Sequence, residues 1–227
     1  LLADEINRAP AKVQSALLEV MQERQVTIAG QSHPVPEPFV VMATQNPIET
    51  EGTYQLPEAQ VDRFMLKVVV GYPNASEEAQ VGARSLRAGL PPREVLDVEG
   101  LIALQRRVDD VYVDPRIISY AVGLVEATRR LSYWGAADLE GYVAYGASPR
   151  GSINLVHGAR SLAVLRGRRY VLPSDVAELA PDVLRHRLVL SYAALTDGVT
   201  ADTVIARVLG LVPAPQLDLA IEPAVSA

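Results

Sequence analysis

The chain has 227 residues, 49% of them apolar and 21% charged, a balance that fits a folded globular protein and argues against disorder. Its net charge of -6 offers no global basic field for nucleic acid or an anionic membrane. Without cysteine it builds neither a disulfide framework nor a thiolate metal site, and no apolar run reaches the ~18 residues that a membrane helix needs.

Leu1-Leu2-Ala3 reads as the tail of a buried strand that gives way to Asp4-Glu5, a carboxylate pair where an open α/β sheet usually holds its ligands. Asn7 and Pro10 announce a helix, with Val13, Leu17, Val20 and Met21 on one face. Gln25 to Pro36 forms a β-hairpin turning at Ala29-Gly30. Phe39 to Thr44 is a second buried strand, closed by Gln45-Asn46-Pro47, and Met65 to Val70 a third. Strands alternating with helices predict a parallel sheet, so residues 1–73 are expected to belong to an α/β core.

From Asn74 the pattern becomes helical. Asn74 and Glu77 form a capping box, Pro91-Pro92 breaks the helix they start, and VEGLIALQRRV begins another. The next helix carries Ile117, Ala121, Leu124 and Val125 on one stripe. Leu131 to Ser148 has little period and reads mostly as loop. Three further helices begin near Pro149, Pro173 and Thr200, so residues 74–212 are expected to form an all-α bundle, and 213–227 a frayed tail.

An ordered set of motifs spans almost the whole chain: LLADEINRAP, ALLEVMQERQVTIAG, FVVMATQNPIETEGTYQLPEAQVDRF, VGYP, GASPRGSINL, YVLPSDV and LAPDVLRHRLVLSY. In order and spacing it resembles the MoxR group of AAA+ ATPases from their Walker B strand onward; Gln55 departs from it, standing where a Pro is common. The resemblance implies part of an α/β P-loop core followed by a helical lid. It implies Mg²⁺-dependent ATP hydrolysis coupled to chaperone-like remodelling, in a cytoplasmic homo-oligomeric ring, commonly a hexamer. Partners would be client proteins, including proteins with von Willebrand factor A domains, with no nucleic acid and no membrane insertion. No G-x-x-x-x-G-K-[ST] occurs in this chain, so the phosphate-cradling loop is expected upstream of Leu1, and the chain alone is not expected to hydrolyse ATP.

Site roles follow from the same resemblance. Asp4 would help hold Mg²⁺, and Glu5 would polarise the attacking water; taken alone, the pair reads as solvated acids at a strand end. Asn46 matches sensor 1, although Asn before Pro also simply forms turns. Arg63 matches the arginine finger that reaches a neighbouring subunit's nucleotide, against a local role pairing Asp62 or Glu58. Arg150 matches sensor 2, at the start of a lid helix where a cation works against the helix dipole. The hairpin resembles a client-facing insertion, or is a plain surface hairpin.

Other chemistries find little support. His33, His157 and His186 are scattered without ligand spacing, and Ser152 with His157 lacks a G-x-S-x-G elbow. Arg166, Arg168 and Arg169 beside Tyr170 read as a solvated helix end. A metal-chelatase-type motor would share every motif, and a catalytically silent interaction module is the reading from another class.

Overall fold

The computed structural model describes residues 1–46, 52–86, 89 and 91–217. Its contacts divide it into two compact units, Leu1–Asp109 and Asp110–Ala227. The division falls after Asp109 rather than at Pro73. Helices α3 (Ala75–Ser85) and α4 (Val98–Asp109), which lie between, bury none of their described residues. The capping box on α3 is present: the Glu77 N–H donates to Asn74 Oδ1 at 3.0 Å, and the Asn74 N–H to Glu77 Oε2 at 2.9 Å.

The first unit is built on β1 (Leu2–Ala3), α1 (Ala11–Glu23), the hairpin β2 (Gln25–Ile28) and β3 (Gln31–Pro34), β4 (Met42–Ala43) and a short α2 (Glu58–Val61). β1 and β4 pair in parallel, Leu2 opposite Met42 and Ala3 opposite Ala43, with α1 and the hairpin forming the crossover. Ladder bonds run beyond the paired residues, from the Leu1 terminus on Val40 O to the Ile6 N–H on Thr44 O, yet the buried strand expected from Phe39 to Thr44 is found only in part: the strand itself is Met42–Ala43, and Val40 and Met42 are exposed. The hairpin turns at Ala29 (φ 51°) and Gly30 (φ 82°), the paired left-handed conformation whose twist matches two antiparallel strands.

Two expectations for this unit need correction. Met65 to Val70 forms no strand, and Val70 is 89% exposed. An apolar run becomes a strand only where a neighbouring strand forms a ladder with it, and among the described residues no strand pairs with 65–70. On α1 the buried residues are Gln14, Leu17 and Leu18, whereas Val13 is 52% exposed. The helix turns Leu17 onto Ile6 and Leu56 and rotates Gln14 inward, because the Gln14 amide is needed there as a donor.

The second unit is a bundle of α5 (Pro115–Ala127), α6 (Pro149–Leu165), α7 (Pro173–Leu184), α8 (Tyr192–Asp197) and α9 (Ala201–Leu211). Its core takes the stripe expected on α5, with Ile117, Ala121, Leu124 and Val125 all buried. Full burial of the Ile, Leu and Val side chains among them stabilises by ~1.5–3 kcal/mol each. The loop expected from Leu131 to Ser148 holds a 3₁₀ segment (Ala137–Tyr142) and β5 (Val143–Tyr145), which pairs antiparallel with β6 (Val189–Leu190). That pairing joins residues more than forty positions apart, and no local period announces it. Of the tail, residues 213–217 are docked: Arg116 Nη1 donates to Gln216 O at 2.9 Å, and Leu217 packs on the core. The rest of the tail lies outside the described residues.

The basic cluster is not a solvated helix end. Arg166 and Arg168 both grip Asp175, a fully buried carboxylate at the start of α7, and the Arg168 guanidinium lies 5.9 Å from the centre of the Tyr170 ring. Asp175 also accepts the Leu172 N–H at 2.8 Å. Burial works to raise its pKa, yet the hydrogen bonds and charge of Arg168, with Leu172 and Arg166, hold it below the usual carboxylate value.

Candidate active site

Asp4 and Glu5 stand at the C-terminal end of β1, and the residues after β4 come alongside because the two strands are parallel and in register. Thr44 is thereby placed opposite the pair. Its hydroxyl donates to Asp4 Oδ1 and accepts the Glu5 N–H at 2.8 Å. Asp4, Glu5 and Thr44 thus form one cluster at the strand ends, and Asn7, two residues after Glu5, donates through Nδ2 to the main-chain O of Asn46 at 3.4 Å. Glu5 sits at φ 46°, ψ 52°, a left-handed conformation uncommon outside glycine, and starts the 3₁₀ turn Ile6–Arg8. Its Oε2 meets Arg8 Nε at 2.8 Å, with both side chains well exposed. A pair so exposed is worth only ~0–1 kcal/mol, so Arg8 yields the carboxylate to another partner at little cost.

The donor set suits a small hard cation that keeps much of its water. Among the described residues no group of three His, Cys, Asp or Glu side chains could hold a metal by itself. Asp4 offers one exposed carboxylate, the usual protein share of a Mg²⁺ site completed by water and phosphate oxygens.

Arg63 follows α2, its N–H donating to Gln60 O at 3.2 Å. Its side chain lines a cleft against α1 with Ser15, Glu19, Glu23 and Gln60. Among the described residues it forms no ion pair with Asp62 or Glu58, and its Nε is buried without a hydrogen-bond partner. The local ion-pair role is therefore not what holds it. Nor does the structure join it to the acidic cluster.

Arg150 belongs to the second unit, exposed in the first turn of α6. Ser148 caps that helix, accepting the Arg150 N–H at 3.2 Å, and Pro149 fills the first helical position, where a missing N–H costs nothing. The end of α5 fixes the approach: the Ala147 N–H donates to Thr128 Oγ1 at 3.0 Å, and Arg129 Nε donates to Ala147 O at 2.6 Å. Gly146 is required for this contact, since a Cβ there would lie 2.5 Å from Thr128 O.

Sequence reasoning missed Thr44, Asn7 and Gln14. Gln14, 2% exposed, donates through Nε2 to Ala9 O and Tyr54 O at 3.1 Å and to Ile6 O at 3.3 Å, tying the acidic turn to the loop before α2. For Thr44 a signal existed: two parallel strands that end together put Asp4 beside it. For Gln14, a polar residue on an otherwise apolar helix face was the clue.

Comparison with known proteins agrees with this layout. A family model for the ATPase family associated with various cellular activities (AAA) matches residues 1–66, and a model for the AAA lid domain matches 136–208. The chain is 53% identical over 221 residues to the chaperone MoxR1 of Mycobacterium tuberculosis, covering 96% of itself and 58% of that protein. It is 44% identical to YeaC of Bacillus subtilis, an uncharacterized protein, covering 95% of itself and 65% of YeaC. A crystal structure of a candidate ATPase from Cytophaga hutchinsonii superposes with a TM-score of 0.89 at 41% identity, over 95% of this chain and 66% of that one. The chain thus spans less than two thirds of these relatives. With a parallel strand pair ending in tandem carboxylates and a helical lid, it belongs to the MoxR family of AAA+ ATPases.

Proposed function

We propose that the protein carrying this chain hydrolyses Mg-ATP and couples the reaction to chaperone-like remodelling or maturation of client proteins. The observation that carries this reading is the acidic pair at the end of β1, beside the end of the parallel β4. That is where an open α/β sheet holds its ligand. The name of its relative MoxR1, a chaperone, supports the client-directed part.

In this reading Asp4 holds Mg²⁺, and the cation neutralises charge on the phosphates when bound. Glu5 leaves Arg8 and accepts a proton from the attacking water, which requires hydrogen-bond reach of that water. Asn46 orients the water or the γ-phosphate. Arg63 stabilises charge in the site of an adjacent subunit and Arg150 contributes from the lid, within a cytoplasmic homo-oligomeric ring, taken as a hexamer. Proteins with von Willebrand factor A domains are the partners we would seek first. The chain alone contains no G-x-x-x-x-G-K-[ST] and on this reading is inactive without that loop.

Subunit mixing tests the shared site. In the complete gene product, Glu5→Gln should lower turnover by ~10² to 10⁴ and Arg63→Ala by ~10³ to 10⁵. Mixed rings of the two should regain activity, because some interfaces then pair an intact Glu5 with an intact Arg63. Turnover that stays at the level of the two parents at every ratio, after subunit exchange is verified, counts against the role of Arg63 across the interface.

A further inference from the structure

We propose that Thr44 is the positioning residue of the acidic pair, orienting the Asp4 carboxylate for a divalent cation and fixing the backbone of Glu5; this rests on the ATPase reading above. Every polar group of Thr44 is spent on the segment Ala3–Ile6. Its N–H donates to Ala3 O at 3.0 Å, and its carbonyl accepts the Ile6 N–H at 3.0 Å. Its hydroxyl accepts the Glu5 N–H and donates to Asp4 Oδ1. A hydroxyl has one proton to give. With the Glu5 amide on one lone pair, that proton goes to Asp4, so the two contacts set each other's direction.

The consequences differ for the two acids. A donor on Oδ1 fixes the plane of the Asp4 carboxylate and leaves Oδ2 to a cation; among the described residues nothing donates to Oδ2. Glu5 is held in a left-handed conformation, which persists in a non-glycine residue only where its surroundings over-determine it. The Thr44 hydroxyl supplies one of those constraints. A threonine present only for its strand propensity would need neither contact, and valine would replace it without loss.

The test uses the complete gene product with Thr44→Val, Thr44→Ser, Thr44→Ala and Asp4→Asn. Mn²⁺ affinity is read by electron paramagnetic resonance with a non-hydrolysable ATP analogue, so turnover plays no part. Loss of a group that orients a metal ligand typically costs ~10- to 100-fold in affinity, and Thr44→Val and Thr44→Ala should both fall in that range. Thr44→Ser should bind nearly as the wild type does. Hydrogen exchange at the Glu5 amide should speed up in Val and Ala but not in Ser. If Val does not fold, Ala against Ser carries the same comparison. Valine and alanine variants that bind Mn²⁺ like the wild type, or a serine variant as weak as valine, overturn the proposal while loss in Asp4→Asn leaves the ATPase reading standing. A wild type that binds no Mn²⁺ with the analogue overturns both.

Discussion

Replacing Asp175 with Ala should be the most damaging single polar change in the lid. The carboxylate is fully buried and takes four donors: the Leu172 N–H at 2.8 Å, Arg168 Nη1 and Nη2 at 2.8 and 2.5 Å, and Arg166 Nη1 at 3.1 Å. Removing one member of a buried ion pair costs ~3–5 kcal/mol. Arg168 keeps 18% of its side chain exposed and Arg166 keeps 40%, so water recovers part of that loss. Arg166 also retains Glu178 at 2.7 Å. The lower end of the range, ~3 kcal/mol, is therefore expected, and it includes the lost cap on α7. For a unit of this size that lowers the melting temperature by roughly 10 °C. The single tryptophan, Trp134, lies in the same unit with its ring 6.0 Å from that of Tyr133, so its fluorescence reports the transition. Glu178→Gln is the control, since it removes only an exposed partner and should cost under ~1 kcal/mol. A loss below ~1 kcal/mol for Asp175→Ala would refute the argument that this carboxylate is compensated rather than merely tolerated.

Gln14→Leu should destabilise the first unit by ~1–3 kcal/mol by stripping a donor from the carbonyls of Ile6, Ala9 and Tyr54, read as a lowered urea midpoint; an unchanged midpoint would show that water replaces the amide. Asp114, held at about 2 by the Arg116 side chain and backbone N–H, should add lid stability that is fully present above the ordinary value of 3.8 and is lost as pH falls through about 2. In Asp114→Asn that part of the acid dependence should disappear from melts taken between those limits; a profile that matches the wild type would assign it elsewhere.

What was legible in the sequence was local. Asn74 with Glu77, Pro149 at a helix start and Ala29-Gly30 each specify a cap or turn within four residues, and each forms as its chemistry requires. What was not legible depends on partners far along the chain. Val143–Tyr145 becomes a strand only because Val189–Leu190 lies beside it, and Met65 to Val70, as apolar as any strand here, does not become one. The site divides in the same way. Asp4, Glu5 and Asn46 were named by resemblance to a family, and the parallel register explains only why the end of β4 comes beside the acids. The residue between them, Thr44, needed the register itself. The roles of Arg63 and Arg150 remain those of the resemblance, since each is positioned by its own unit: Arg63 after α2, and Arg150 in the first turn of α6.

The measurement that bears most directly on the central claim is ATP turnover by the complete gene product with Glu5 replaced by Gln, taken beside equilibrium ATP binding in Mg²⁺. If the carboxylate at the end of β1 activates water, turnover falls by ~10² to 10⁴ while binding stays at the wild-type level, because the amide keeps the shape and removes only the base. Turnover that survives the substitution would contradict the account and place the hydrolytic base elsewhere.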